Sequence, residues 1–266
     1  QLLKRSDLHT VPLSVSPRQT ALNDLIADAF VDLEKLHLNF IKPGDDGSVH
    51  IGALTTLQDI YLSELIKSQA GGVLNEAAYF SATLGLRNLA NLAGAITNPE
   101  NPPDIPLVLM AFDAVVTIQK DESQTRQVSL QEWMKDCTKV LLPGEAILEV
   151  SFPAQTQASG ALVRVNRTPR DKAIVAAAAV LQVADGVCAK AMVTLAGCNP
   201  APVRLQAVEA LLIGQSLTTE LFNQSGSIAE QQAQPVADYR GSVSYRKAMA
   251  SVLTRRAIQQ ARQALK

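Results

Sequence analysis

The sequence predicts an α+β protein. Compact hairpin patterns alternate with short amphipathic helices behind capping residues, without the regular strand–helix–strand spacing of a doubly wound sheet. The hairpin signals are Pro43-Gly44-Asp45-Asp46-Gly47 between two short apolar runs and Ala184-Asp185-Gly186 between two long ones. Both supply residues that tolerate positive φ where a tight antiparallel turn requires it.

Residues 1–20 read as polar and irregular, with Pro12 and Pro17 opposing a long helix. Leu22, Leu25, Ile26 and Phe30 then fit a short amphipathic helix from Thr20. Phe40-Ile41-Lys42 and Val49-His50-Ile51 flank the first hairpin loop, and Thr55-Thr56-Leu57-Gln58 is a capping box ahead of Leu57, Ile60, Tyr61 and Leu65. A helix from Val73 to about Leu84 starts after Gly71-Gly72, and another from Pro103 or Asp104 to Ala111 uses Pro103 in its first turn. Ala114–Lys120 reads as a strand with Gln127-Val128 as its weak partner, followed by the capping box Ser129-Leu130-Gln131-Glu132. Ile147–Phe152 and Ala161–Val165 read as strands joined by a flexible polar loop, and Ile174–Val183 with Cys188–Ala196 as the second hairpin. Pro202–Ile213 is a helix candidate stopped by Gly214. Gln231-Gln232-Ala233-Gln234-Pro235 reads as a polar linker, and a long helix closes the chain from about Ser242 to Leu265. No internal repeat is visible.

A net charge of −1 argues against a nucleic-acid or acidic-membrane surface. No apolar run reaches the roughly eighteen residues a membrane helix needs. The start, Gln1-Leu2-Leu3-Lys4-Arg5, lacks the apolar core of a signal peptide, so the cytoplasm is expected. Cys137, Cys188 and Cys198 show no C-x-x-C spacing, which disfavours a disulfide framework or a metal site. His9, His37 and His50 read as solvated or locally bonded, so no metal or side-chain catalyst is expected.

Leu86–Ala114 holds the most specific pattern. An Arg87-Asn88 pair leads to the small-residue turn Ala93-Gly94-Ala95, then to the loop Asn98-Pro99-Glu100-Asn101-Pro102-Pro103-Asp104 and the apolar run Ile105–Phe112. Small residues let backbone approach a ligand, and N–H groups at the start of the next element can meet phosphate or carboxylate oxygens. A proline-stiffened surface loop is the plainer alternative. With Val49-His50-Ile51-Gly52-Ala53-Leu54-Thr55-Thr56, Leu142–Val150, Asn199-Pro200-Ala201-Pro202-Val203-Arg204 and Asp238-Tyr239-Arg240 running into Tyr245-Arg246, this stretch resembles the flavin-binding subunit of the molybdenum hydroxylases. That family includes the medium subunit of aerobic carbon monoxide dehydrogenase and the FAD domain of xanthine dehydrogenase. The resemblance covers roughly residues 31–266.

It implies an FAD-binding portion of two small α/β subdomains over residues 1–156, and a C-terminal three-stranded antiparallel sheet with helices over residues 157–266. It also implies FAD as cofactor, with an iron–sulfur small subunit and a molybdenum-cofactor large subunit as partners. Relatives grip FAD with two backbone loops, of which the second maps onto Asn91, Leu92, Ala93, Gly94 and Ala95. Here Ala93 replaces a glycine and Asn91 a hydroxyl residue. For the first loop there is no counterpart: no glycine precedes Gly44, and the segment ahead of Asp32 is too short for the usual strand, loop and helix, so either that grip is lost or a segment is missing from the sequence. Asp104 matches an acidic residue that bonds the flavin cofactor, and equally suits a helix N-cap. Ile147 matches an apolar position near the ring, and equally a core strand. Arg164 matches a basic residue near the flavin, and equally an exposed strand. Lys172 stands where relatives carry an aromatic or aliphatic residue. Arg246, Lys247, Arg255, Arg256 and Arg262 give the last helix a basic face that is either a docking surface or simply solvated. Two functions follow: an electron-transfer flavoprotein subunit, in which the cofactor carries the chemistry, or an FAD-free structural or assembly subunit.

Overall fold

The computed structural model describes residues 10–13, 29–97, 103–121, 124–142, 144–168 and 171–265. Strands β1 (Thr10–Leu13) and β2 (Ala29–Asp32) pair in parallel, Thr10 opposite Ala29 and Leu13 opposite Asp32. Residues 10–13 are therefore a strand rather than irregular chain, and the segment ahead of Asp32 is long enough for one. Phe30 belongs to β2, not to a helix. Parallel partners need a crossover, and the connecting residues 14–28, with the rest of the expected helix from Thr20, lie outside the described residues.

The first hairpin forms as expected, β3 (Ile41–Pro43) antiparallel to β4 (Ser48–Gly52). His50 sits on it locally bonded, its Nδ1 2.8 Å from Glu149 Oε1 and its Nε2 2.7 Å from Ser48 Oγ. Helix α1 (Leu57–Leu62) is capped one residue later than the sequence suggests: Thr56 Oγ1 accepts from the Asp59 N–H. Thr55 is instead fully buried, bonded to the Phe40 backbone through both its donor and its acceptor. Then come α2 (Glu64–Lys67), α3 (Val73–Ser81), α4 (Leu84–Arg87), α5 (Leu92–Thr97) and α6 (Asp104–Ala111). The expected single helix to Leu84 stops at Ser81, because Ala82 is extended and α4 turns away behind it.

Strands β5 (Val115–Asp121) and β6 (Gln124–Ser129) lead into α7 (Leu130–Lys135), capped by Ser129 as expected, and α8 (Cys137–Val140). With β7 (Ala146–Pro153) they complete a five-stranded antiparallel sheet in the order β3-β4-β7-β5-β6. The second sheet holds β8 (Ser159–Val165), β9 (Val175–Ala184), β10 (Val187–Ala196) and the two-residue β11 (Val203–Arg204), in the order β11-β10-β9-β8. It is the expected three long antiparallel strands with a stub added. That stub takes the first part of the helix candidate at Pro202, so α9 is Gln206–Leu212. Helices α10 (Thr219–Gln232) and α11 (Val243–Gln263) close the chain.

Strand β9 is buried on both faces, which explains its unbroken apolar run. Ala176, Ala178 and Val180 pack with the N-terminal core, whereas Val175, Ala177, Ala179 and Leu181 pack with the C-terminal helices. The central sheet thus belongs to two cores at once. Helix α6 lies between α3 and this sheet with every residue buried, as expected of a helix apolar all round.

Helix α10 takes in Gln231 and Gln232, the first two residues of the stretch read from the sequence as a linker, and its other residues carry no element in that reading. Its interior Gly226 weakens the helical signal by about 1 kcal/mol relative to Ala, yet packing requires it: a Cβ there would stand 2.9 Å from the Ser251 carbonyl oxygen of α11. Overpacking costs about 1–3 kcal/mol and outweighs the propensity gain. Gly226→Ala is therefore expected to lower stability in chemical denaturation, and a rise in the midpoint would refute the close α10–α11 contact.

Candidate functional site

Two stretches of the family pattern are bonded to each other. The Leu92 N–H donates to the Thr55 carbonyl at 2.9 Å, and the Ala93 N–H to the Ala53 carbonyl at 2.9 Å. The Asn91 side chain accepts from the Gly94 N–H at 2.8 Å, and its carbonyl accepts from the Ala95 N–H at 3.0 Å. Asn91 and Ala93 are each 7% exposed, and Leu92, Gly94 and Ala95 are buried. Arg87 anchors this arrangement from below: its Nε donates to Gln58 Oε1 at 2.9 Å, its Nη1 to the Ala82 carbonyl at 2.9 Å, and its guanidinium lies over the Tyr61 and Tyr79 rings.

Between the two sheets' territories opens a cleft of about 400 Å³. Ala95, Ile96, Pro103 and Pro106 form one wall, with Lys135 and Asp136 at its end; Lys172, Ala173, Gly197 and Asn199 form the other, rimmed by Asp238, Arg240 and Arg246. The N-P-A-P and D-Y-R stretches of the sequence thus meet at one opening. A smaller polar pocket of about 150 Å³ adjoins it, sharing Lys172, Ile174 and Arg240 and adding Arg167, Asp171 and Tyr239. The size falls within the range of small-molecule sites.

Of the residues matched in the sequence to FAD-binding positions, Asn91–Ala95, Asp104, Ile147 and Arg164, only Ala95 lines the cleft. Asp104 lies beneath it, between the lining residues Pro103 and Pro106. It is not the cap of α6, a place Pro103 takes, but its first helical residue. Its carboxylate is fully buried, with Arg164 Nε 3.1 Å from Oδ1. Arg164 is not an exposed strand residue: its side chain is 7% exposed, lies over the Phe80 ring and donates through Nη2 to the Asp171 carbonyl at 2.8 Å. Ile147 packs in the N-terminal core, away from the cleft. Lys172 does line it.

Arg246 departs from its expected place on a basic helix face. It is 4% exposed and donates to the Ile174 and Gly197 carbonyls and to Asp238 Oδ1. Asp238 also takes Arg240 through Nε at 3.0 Å and Nη2 at 2.7 Å. Burial pushes the Asp238 carboxyl up, but the bonds from Arg246 and Arg240 outweigh it and hold the group well below the usual carboxylate range. The cleft-facing role of Arg240 was hidden in the sequence, where the only signal is the Asp-x-Arg spacing.

The donor set decides how this site fits the FAD that the sequence resemblance implies. The cleft suits a flat ring with polar edges. The start of α5 does not suit a pyrophosphate, because its first four N–H groups already have acceptors within the chain. Among the described residues no cluster of His, Cys, Asp and Glu is arranged to hold a metal ion, and no helix is long and apolar enough to cross a membrane.

Burial raises Asp104 from 3.8 to about 6, against the opposing pull of Arg164. Burial pushes Glu76 up as well; Arg164 opposes that shift and Asp104 adds to it. A carboxyl raised on folding binds its proton more tightly in the folded state, so its stabilising contribution is complete below about pH 4 and is lost as pH rises through about 6. Asp104→Asn should remove part of the fall in melting temperature between pH 4.5 and 7. Parallel pH profiles for wild type and variant would refute this assignment.

Comparison with known proteins identifies the architecture. Residues 18–155 match the FAD binding domain in molybdopterin dehydrogenase, and residues 161–261 match the CO dehydrogenase flavoprotein C-terminal domain. The chain is 28% identical over 241 residues to the glyceraldehyde dehydrogenase medium chain of Sulfolobus acidocaldarius, covering 90% of this chain and 85% of that one. It is 31% identical over 219 residues to the 6-hydroxypseudooxynicotine dehydrogenase complex subunit alpha of Paenarthrobacter nicotinovorans, covering 81% of this chain and 73% of that one. In fold it is similar to carbon monoxide dehydrogenase from Hydrogenophaga pseudoflava, with a TM-score of 0.86 at 24% identity over 98% of this chain and 92% of that one. The chain belongs to the family of FAD-binding subunits of the molybdenum hydroxylases.

Proposed function

We propose that this chain is the flavin-binding, electron-transfer subunit of a cytoplasmic molybdenum hydroxylase complex, with an iron–sulfur subunit and a molybdenum-cofactor subunit as partners. The observation that carries the proposal is the cleft, which lies where the regions matched by the two family domains meet and is lined from both. A boundary near residue 156, in the loop between β7 and β8, divides the chain into an FAD-binding portion and a C-terminal portion on this reading.

A bound flavin supplies the electron chemistry. The chain's own residues shape and charge its site. Ala95, Ile96 and Pro106 offer an apolar wall, and Lys172 and Arg240 place cations at the opposite edge, where they favour a ring carrying negative charge. Asp104 and Arg164 support the walls from beneath, and Asn91–Ala95 hold one edge of the cleft in place. Neither a nucleophile nor a general base is required. A cofactor-free structural subunit is the second reading, favoured by the internally bonded N–H groups at α5.

The visible absorption spectrum of the purified protein, before and after incubation with FAD, separates the two. Flavin bands that persist through gel filtration are expected. A protein that stays colourless after incubation would overturn the flavin reading in favour of the structural one.

A further inference from the structure

We infer that Asn199 orients the ring in the cleft by accepting a hydrogen bond from the imide N–H of its pyrimidine edge; this rests on the flavin reading above. The ground is a polar atom left unanswered. Asn199 is half-buried and lines the cleft, yet its side-chain Oδ1 is buried in the wall with no hydrogen-bond donor. The other polar side chains of the lining are engaged within the chain. Lys135 pairs with Glu132 at 2.6 Å, Asp136 with Lys139 at 2.7 Å, and Cys137 Sγ donates to the Thr97 carbonyl at 3.1 Å. Arg240 and Arg246 share the Asp238 carboxylate, and Lys172 is engaged as well. An unanswered buried acceptor is costly, and buried polar groups are normally bonded. The last torsion of an asparagine side chain is broad, so turning the amide toward a donor in the cleft recovers a bond that the wall does not supply.

The chain leading to Asn199 is held in place. The Gly197 carbonyl accepts from Arg246 Nη1 at 2.8 Å, Cys198 Sγ donates to the Arg246 carbonyl at 3.3 Å, and the Cys198 carbonyl accepts from the Gln234 N–H at 2.9 Å. These bonds also bring Arg246 to the same end of the cleft, and its Nε is likewise buried without an acceptor. One unanswered acceptor and one unanswered donor at the same end match an imide, whose N–H lies between two carbonyl groups. The rest of the cleft agrees with that orientation. Ala95, Ile96, Pro103 and Pro106 make the other side apolar, which suits the hydrocarbon end of the ring.

The test compares FAD with 3-methyl-FAD, in which a methyl group replaces the imide hydrogen. Dissociation constants are measured for the full chain, freed of bound flavin, by quenching of flavin fluorescence. Wild type should bind FAD at least about tenfold more tightly than 3-methyl-FAD, the worth of one hydrogen bond. Asn199→Leu, similar in shape but without the acceptor, should lose that preference. Asn199→Asp, which keeps the acceptor, should retain it. Equal binding of the two flavins by wild type, or a preference that survives in Asn199→Leu, would overturn the inference and leave the flavin reading standing. No binding of either flavin would overturn both.

Discussion

Helix α6 is the constraint on which the arrangement depends. All of its residues are buried, so it cannot be repositioned without exposing apolar surface on more than one side. It packs against α3 on one side and the central sheet on the other, and two polar ties fix its register. Thr194 of β10 donates to the Leu107 carbonyl at 2.9 Å, and Asp104 at its first turn meets Arg164 of β8. The positive end of the helix dipole favours a carboxylate there, which helps offset the cost of full burial. Such pairs add little to stability over an apolar substitute, but losing one partner strands the other charge at a cost of about 3–5 kcal/mol. The pair therefore specifies where the halves meet more than how tightly they hold. Because Arg164 also bonds the Asp171 carbonyl, next to Lys172, this one buried charge helps set the width of the cleft.

The C-terminal half repeats the device with a different cation. Arg246, at the rim of the cleft, donates to two backbone carbonyls, Ile174 and Gly197, that border the opening. Gly197 itself has φ +81°, and a Cβ there would meet the Ile174 carbonyl oxygen at 2.1 Å. The wall can close only because this residue has no side chain. Arg164 and Arg246 both hold the 171–174 segment of the opening, and each does so through backbone as well as carboxylate partners.

What was legible in the sequence was local. Both hairpins, the Ser129 cap and the extent of α6 follow from turn chemistry and periodicity, which act within a few residues. The parallel strand at Thr10–Leu13 was not legible, because four residues with a proline carry no period and its partner is remote in sequence. Helix α10 was not legible either: Gly226 weakens its interior, and the close approach of α11 that calls for a glycine there is a tertiary contact. For the site, the sequence identified stretches but not roles. Arg246 and Asp104 look like surface and cap residues until tertiary contacts bury them, and Ile147 turns inward on a strand with equally apolar neighbours. Burial of a charge depends on which remote residue answers it, and that is not a local property.

The family pattern survives here largely in residues that build the scaffold. Gly52 is required because a Cβ would stand 2.1 Å from the Leu38 carbonyl oxygen. Thr55 serves the Phe40 backbone, and the Asn91 turn is bonded to the Gly52–Thr55 segment. These demands persist whether or not a diphosphate is bound. Of the departures, Lys172 lines the cleft, whereas Asn91 and Ala93 bond within the chain itself. Scaffold and cofactor contacts can therefore diverge at different rates, and membership of the family fixes the first more firmly than the second.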